Sequence, residues 1–122
     1  MMSSTAPARI ALGNYGESVA ERHLVEAGMT VLDRNWRCED GEIDLVLREG
    51  DTLVVCEVKT RSHDGCGTPH EAVDKTKLDR LRRLAIAWLQ QHDVRAPGIR
   101  IDLVAVMQAP RGSALVEHVR GL

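Results

Sequence analysis

The chain has 122 residues and a formal net charge of −2, enough for one small domain with one core and too little for two. Its apolar fraction is that of a globular protein, and with no Phe, one Tyr and two Trp the core must be built of Leu, Val, Ile and Ala, which disfavours a nucleic-acid binder of the aromatic-stacking OB or RRM kind. The charge argues mildly against a nonspecific nucleic-acid coat; it leaves room for a nuclease, whose bound cation restores positive charge where it is needed.

In chain order, residues 1–8 read as a loose tail and 9–122 as a single domain. The tail has no apolar signal-peptide core, and no apolar run approaches membrane-spanning length, so a cytoplasmic chain with no membrane partner is expected. From about Arg9 to Ala27, Leu12, Tyr15, Val19, Ala20 and Leu24 recur at spacings of three and four, which predicts a helix stopped by Gly28. Three strands follow: Thr30 to Trp36, Glu42 to Arg48 and Thr52 to Thr60, separated by a polar turn at Cys38 to Gly41 and a tight turn at Glu49-Gly50-Asp51. They should be antiparallel neighbours.

Arg61 to Pro69 is Gly-rich and polar, as a loop would be. A second helix is predicted from about Glu71 to His92, with Leu78, Leu81, Ala85, Trp88 and Leu89 on its apolar stripe. After Pro97-Gly98 come a fourth strand, Ile99 to Met107, and a short fifth, Ala114 to Val119. The helix between the third and fourth strands is long enough for a parallel crossover. The expected fold class is therefore α/β: an αβββαββ mixed sheet flanked by helices.

Charged residues interrupt these strands in two places. Asp44 breaks the run Ile43 to Leu47, on a strand face that alternation would share with Glu42 and Val46. Glu57 and Lys59 end the run Leu53 to Val58, on the face of Leu53 and Val55. Were the hairpin to set Asp44 beside Glu57, their repulsion at ~4 Å and an effective dielectric near 20 would be roughly 4 kcal/mol. A proton, Lys59 or a divalent cation would have to offset it. Hydrolysis of a phosphodiester uses such a set: carboxylates hold a hard cation that polarises the phosphate, and a lysine offsets developing charge. The plainer alternative is a solvated strand face with a surface ion pair. It is weakened because Leu53 to Cys56 is apolar on both faces, as a covered central strand is.

Glu17 has two readings. It shares a helix face with Gly13, Ala20 and Leu24, aimed at the sheet; alternatively, a helix starting at Asn14 would make Asn14-x-x-Glu17 a capping box. Arg61 and Lys77 are candidate contacts to a phosphate backbone, within a third of the chain that also holds Lys75, Arg80, Arg82 and Arg83. Asp102 beside Arg100 reads as an internal ion pair. Cys38, Cys56 and Cys66 form no CxxC pair, and the five histidines show no ligand spacing, so no zinc site is expected.

These blocks together resemble the YraN family of small bacterial proteins, a branch of the restriction-endonuclease-like, or PD-(D/E)XK, superfamily related to Holliday-junction resolvases. The resemblance runs from about Gly13 to Val106 and rests on Gly13-x-x-Gly16-Glu17, Arg34-Asn35, Gly41-Glu42-Ile43-Asp44, Glu57-Val58-Lys59-Thr60-Arg61, Gly67-x-Pro69, Lys77 with Leu81 and Ala85, and Arg100-x-Asp102. It implies a restriction-endonuclease-like fold and a Mg2+- or Mn2+-dependent endonuclease acting on DNA. Asp44 and Glu57 match the metal ligands, Lys59 the catalytic lysine and Glu17 the helix carboxylate of resolvase-like members. Ile43 replaces the proline of the PD dipeptide. Junction resolution would need two active sites, hence a homodimer. A nuclease-like fold that binds nucleic acid or a protein partner without cutting is the competing expectation.

Overall fold

The computed structural model describes residues 6–62, 73–109 and 111–122. The expected 1–5 stretch of the tail, most of the Gly-rich loop, Cys66, His63 and His70 lie outside them. The elements are α1 (Ala6–Glu26), β1 (Thr30–Cys38), β2 (Gly41–Glu49), β3 (Thr52–Ser62), α2 (Lys75–His92), β4 (Gly98–Gln108) and β5 (Leu115–Val119). One five-stranded sheet runs in the order β1-β2-β3-β4-β5. It is antiparallel except for β3–β4, which pair in parallel from Thr52–Gly98 to Ser62–Gln108, as the helical crossover requires. The αβββαββ arrangement is borne out, and among the described residues no helix is long and apolar enough to cross a membrane.

The helices cover opposite faces. On one, Leu53, Val55, Ile101, Val46, Ile43 and Trp36 pack against Leu81, Leu84, Ala85 and Trp88 of α2. On the other, Val54, Cys56, Leu45, Leu47, Val104 and Val106 pack against Ala20 and Leu24 of α1, with Met29. Alternation along β3 thus feeds both cores, and Leu53 to Cys56 are at most 2% exposed. The indole N–H of Trp88 donates to Asp33 Oδ2 at 2.9 Å, tying α2 to β1.

Two helix starts and one buried stripe differ from the sequence expectation. α1 begins at Ala6, so residues 6–8 are helical and Asn14 is mid-helix; the capping-box reading of Glu17 is therefore wrong. α2 begins at Lys75 because Asp74 is extended (φ −91°, ψ 179°) and its carboxylate accepts the Lys77 N–H at 2.8 Å, satisfying an otherwise unpaired first-turn donor. The buried stripe of α1 is Gly16, Ala20 and Leu24, whereas Tyr15 is 37% exposed.

That stripe of small residues lets α1 lie close on β3. A Cβ on Gly16 would collide with Thr60 Oγ1 and come within 2.8 Å of Thr60 Cβ, whereas one on Gly13 would meet nothing within 4 Å. The two alanine substitutions should therefore have opposite signs. Gly13→Ala should stabilise by about 0.5–1 kcal/mol through helix propensity, and Gly16→Ala should destabilise by about 1–3 kcal/mol through overpacking. Urea unfolding midpoints of the two variants check this; equal shifts would contradict the close helix–strand approach.

Candidate active site at the fork between two strands

The β2–β3 ladder runs from Glu49–Thr52 to Leu45–Cys56 and stops there. Beyond that point β2 pairs only with β1, through Ile43–Trp36, Glu42–Arg37 and Gly41–Cys38, while β3 continues along β4. The sheet therefore opens into a fork one residue short of Asp44 and Glu57. A splayed strand leaves backbone donors without partners, and a buried N–H needs one. Asp44 supplies it: its Oδ2 accepts the Val58 N–H at 2.8 Å. The aspartate carboxylate stands in for the carbonyl that β2 no longer provides.

Strict alternation on β2 fails at Ile43, whereas Glu42 and Asp44 line one cleft and Val46 enters the α2 core, as the expected shared face requires. Arg34 and its cross-strand partner Leu45 lie on the α1 side, yet Trp36 and its partner Ile43 lie in the α2 core. The positions between them are Asn35 and Asp44. Asn35 has φ 50°, a left-handed conformation uncommon outside glycine and best tolerated by Asn and Asp. The pleat is broken at this pair, which brings Ile43 into the α2 core beside Trp36.

A cleft of about 220 Å3 is lined by Glu42, Asp44, Glu57, Lys77, Arg80, Leu81 and Leu84. Glu57 Oε1 accepts from Lys77 Nζ at 2.8 Å, with Lys59 Nζ at 4.0 Å. The Glu57 side chain is 12% exposed, and the two lysines are about a quarter to a third exposed. Burial pushes Asp44 up to about 7; the Glu57 charge adds to this, the Val58 hydrogen bond opposes it, and Glu17 and Glu42 contribute further repulsion. Glu17 is raised by burial, with the nearby Asn35 side chain pulling the other way and Glu42 and Glu57 repelling it. Lys59 is lowered by burial and by the neighbouring Lys77 charge, partly offset by Glu57, with Arg61 adding a smaller push.

Glu17, Asp44, Glu57, Lys59 and Lys77 are thus brought into one electrostatically coupled group, from α1, β2, β3 and α2. Arg61 is exposed two residues beyond Lys59 on β3. Asp102 is not part of the group; it is fully buried in an ion-pair network on β4, opposite Cys56, as expected. The sequence reading gave no role to Glu42 or Asn35, and took Arg80 only as one of the basic residues of the second helix. Arg80 was accessible to it, because residues three apart share a helix face and Lys77 had been singled out. Nothing in the sequence marks Asn35 as left-handed.

The donor chemistry fits a small hard dication. Asp44 and Glu57 are carboxylates in mutual repulsion, partly withdrawn from water, at the mouth of a cleft. Among the described residues no three His, Cys, Asp or Glu side chains close into a ready-made cage. Two carboxylates suit Mg2+, which retains several of its waters, better than a zinc-like ligand set.

The match to the family model described as "Uncharacterised protein family UPF0102" spans residues 16–106, from the glycine against Thr60 to the end of the buried part of β4. The chain is 62% identical over 123 residues to a UPF0102 protein of Nocardioides sp., covering 99% of each chain. It is 60% identical to one of Kineococcus radiotolerans, covering 94% of this chain and 95% of that one. It is 57% identical to one of Streptomyces griseus, covering 94% and 98%. With matches of this extent along the segments that build the fork, the chain belongs to the UPF0102 (YraN) family.

Proposed function

We propose that this protein is a metal-dependent endonuclease that hydrolyses DNA phosphodiester bonds, with branched or damaged DNA as its substrate. The observation that carries this reading is the convergence of Asp44, Glu57 and Glu17 charges with Lys59 and Lys77 at an open strand fork. Held by Asp44 and Glu57, Mg2+ or Mn2+ would supply positive charge to the phosphate and acidify water.

The residues of the chain do the rest. Lys77 and Arg80, on one face of α2, grip the non-bridging oxygens of the phosphate and set it over the fork. Lys59 donates to the oxygen on which charge develops as the P–O bond breaks, a contribution worth the most where water is scarce. Glu17, raised above the usual carboxylate range by its burial, accepts a proton from the attacking water. Arg61 holds the backbone beyond the cut. The negative overall charge does not oppose this, because the cations are local to α2 and the end of β3.

The decisive measurement is cleavage of plasmid and four-way-junction DNA in Mg2+ or Mn2+. Asp44→Asn should abolish it, and Lys59→Ala should lower the rate by about 10²–10³, the scale of a lost charge-stabilising donor. No cutting of any substrate with either metal defeats the proposal. Salt-dependent DNA binding that needs no metal and survives Asp44→Asn would instead identify a non-cutting module on this fold.

A further inference from the structure

A groove of about 620 Å3 runs between α1 and β1, lined in part by Glu17, Glu21, Val25, Arg34, Asn35 and Leu45. Its size is in the range of small-molecule sites, roughly 300–1,000 Å3. Glu17 stands on its wall and is also within electrostatic reach of Asp44, so the groove begins where the carboxylate group ends.

Arg34 is held in this groove in an unusual way for an exposed side chain. Its Nε donates to Glu21 Oε1 at 2.6 Å and its Nη2 to Glu21 Oε2 at 2.8 Å. This two-point fork fixes the plane of the guanidinium, while 58% of the side chain stays open. A surface pair of this kind adds little stability. What it does provide is a flat, pre-oriented cation on the wall of a groove that also exposes Val25. The rest of the described chain is poor in such surfaces: Trp36 and Trp88 are 8% and 3% exposed, inside the α2 core, and Tyr15, although exposed, does not line this groove. Guanidinium planes serve as stacking platforms for unpaired bases where aromatic ones are missing.

We infer that the α1–β1 groove is a nucleotide subsite, in which the clamped Arg34 guanidinium stacks on an unpaired nucleobase adjacent to the phosphate held at the fork. The inference rests on the endonuclease reading for the position of that phosphate. It adds a substrate preference: a base reaches Arg34 only after leaving its own stack, so nucleotides at flaps, junctions and single strands fit and an intact duplex does not.

The test uses the full chain labelled at arginine with 15N, with Ca2+ present, and two probes: deoxyadenosine 5′-monophosphate and deoxyribose 5-phosphate. The expected result is an upfield shift of the Arg34 Nε–H signal with the nucleotide and none with the sugar phosphate. The nucleotide should bind about tenfold more tightly than the sugar phosphate, the lower part of the range for base stacking. Arg34→Lys, which keeps the charge and loses the plane, should erase that preference while leaving Mn2+ uptake unchanged. Glu21→Gln, which loosens the clamp, should reduce it. Equal binding of the two probes, or a preference that survives Arg34→Lys, overturns the subsite. The two ideas fail separately: Mn2+-dependent cleavage with no base-dependent shift at Arg34 sinks the subsite alone. A base-dependent shift in a chain that takes up no Mn2+ sinks the endonuclease and keeps the subsite.

Discussion

Replacing Asp44 by Asn should make the metal-free protein more stable at pH 8 while removing its response to Mn2+. The carboxylate is buried and repelled by Glu57, Glu17 and Glu42, which together raise it from 3.8 to about 7. A folded pKa above the unfolded one means the folded state holds the proton more tightly. Its contribution is therefore fully present below about pH 4, declines as pH rises towards 7, and is gone above that. The gap corresponds to on the order of 4 kcal/mol before solvent screening. Asn carries no charge, and its carbonyl can still accept the Val58 N–H. At pH 8 the variant should gain about 1–3 kcal/mol, or several degrees in Tm for a domain of this size, and at pH 4 it should match the wild type. Asp44→Ala should fall below Asn by about 1–2 kcal/mol, because it leaves that buried donor unmade.

Mn2+ should reverse the order. At a concentration a hundred times its dissociation constant it stabilises the wild type by about 2.7 kcal/mol, and the Asn variant by close to nothing. Thermal melts at pH 4 and 8, with and without Mn2+, read all four corners. Equal stability of the two proteins at pH 8 without metal would mean that Asp44 is not repelled; an equal Mn2+ shift in both would mean that it is not a ligand.

The same residue shows where sequence reading stops. The strands were legible because alternation, turn residues and apolar runs are local properties. So was the pairing of Asp44 and Glu57 as charges in strands that should be apolar. What joins them was not local. The fork exists because β2 leaves β3 after Leu45–Cys56, and the pleat of β2 breaks where Asn35, on the neighbouring strand, is left-handed. An alternation rule assumes an unbroken pleat, and one residue with positive φ on an adjacent strand ends that assumption. The Glu57 partner was missed for a similar reason: Lys77 was singled out only as a phosphate contact, and its approach to Glu57 at 2.8 Å depends on where Asp74 starts α2. Gly16 was legible as an oddity but not as a contact, because its meaning lies in Thr60, more than forty residues away.

Asp102 should behave as the opposite of Asp44, and its loss should be the more damaging to folding. It has no exposure to solvent, yet both oxygens are fully used. Oδ1 accepts from Arg100 Nε at 2.8 Å and from the Gly121 N–H at 3.0 Å; Oδ2 accepts from Arg100 Nη2 at 2.9 Å and lies 2.8 Å from His118 Nε2. Arg100 also bonds Glu49 Oε1 at 2.7 Å, which receives Arg120 as well. One carboxylate thus binds β4, β5 and the C-terminal residues into one unit. Burial alone would raise its pKa, but the Arg100, His118 and Gly121 hydrogen bonds outweigh it and hold the group below the usual carboxylate range. Its contribution is present above about pH 4 and is lost as pH falls through the depressed value, the reverse of the Asp44 slope. Asp102→Ala leaves a half-buried guanidinium short of its main partner and should cost about 3–5 kcal/mol, a large part of the stability of a small domain. Asp102→Asn should also destabilise, because an amide brings two donors to a site already crowded with them. Asp102 is paired in register with Cys56, one residue short of Glu57, but it does not line the cleft, so both variants should take up Mn2+ with wild-type affinity at temperatures where they remain folded. Urea unfolding at pH 7 with parallel Mn2+ titration separates the network from the fork: a loss of Mn2+ affinity in folded Asp102→Asn would show that the two are one cooperative device, and an unchanged unfolding midpoint would show that the four hydrogen bonds contribute no net stability.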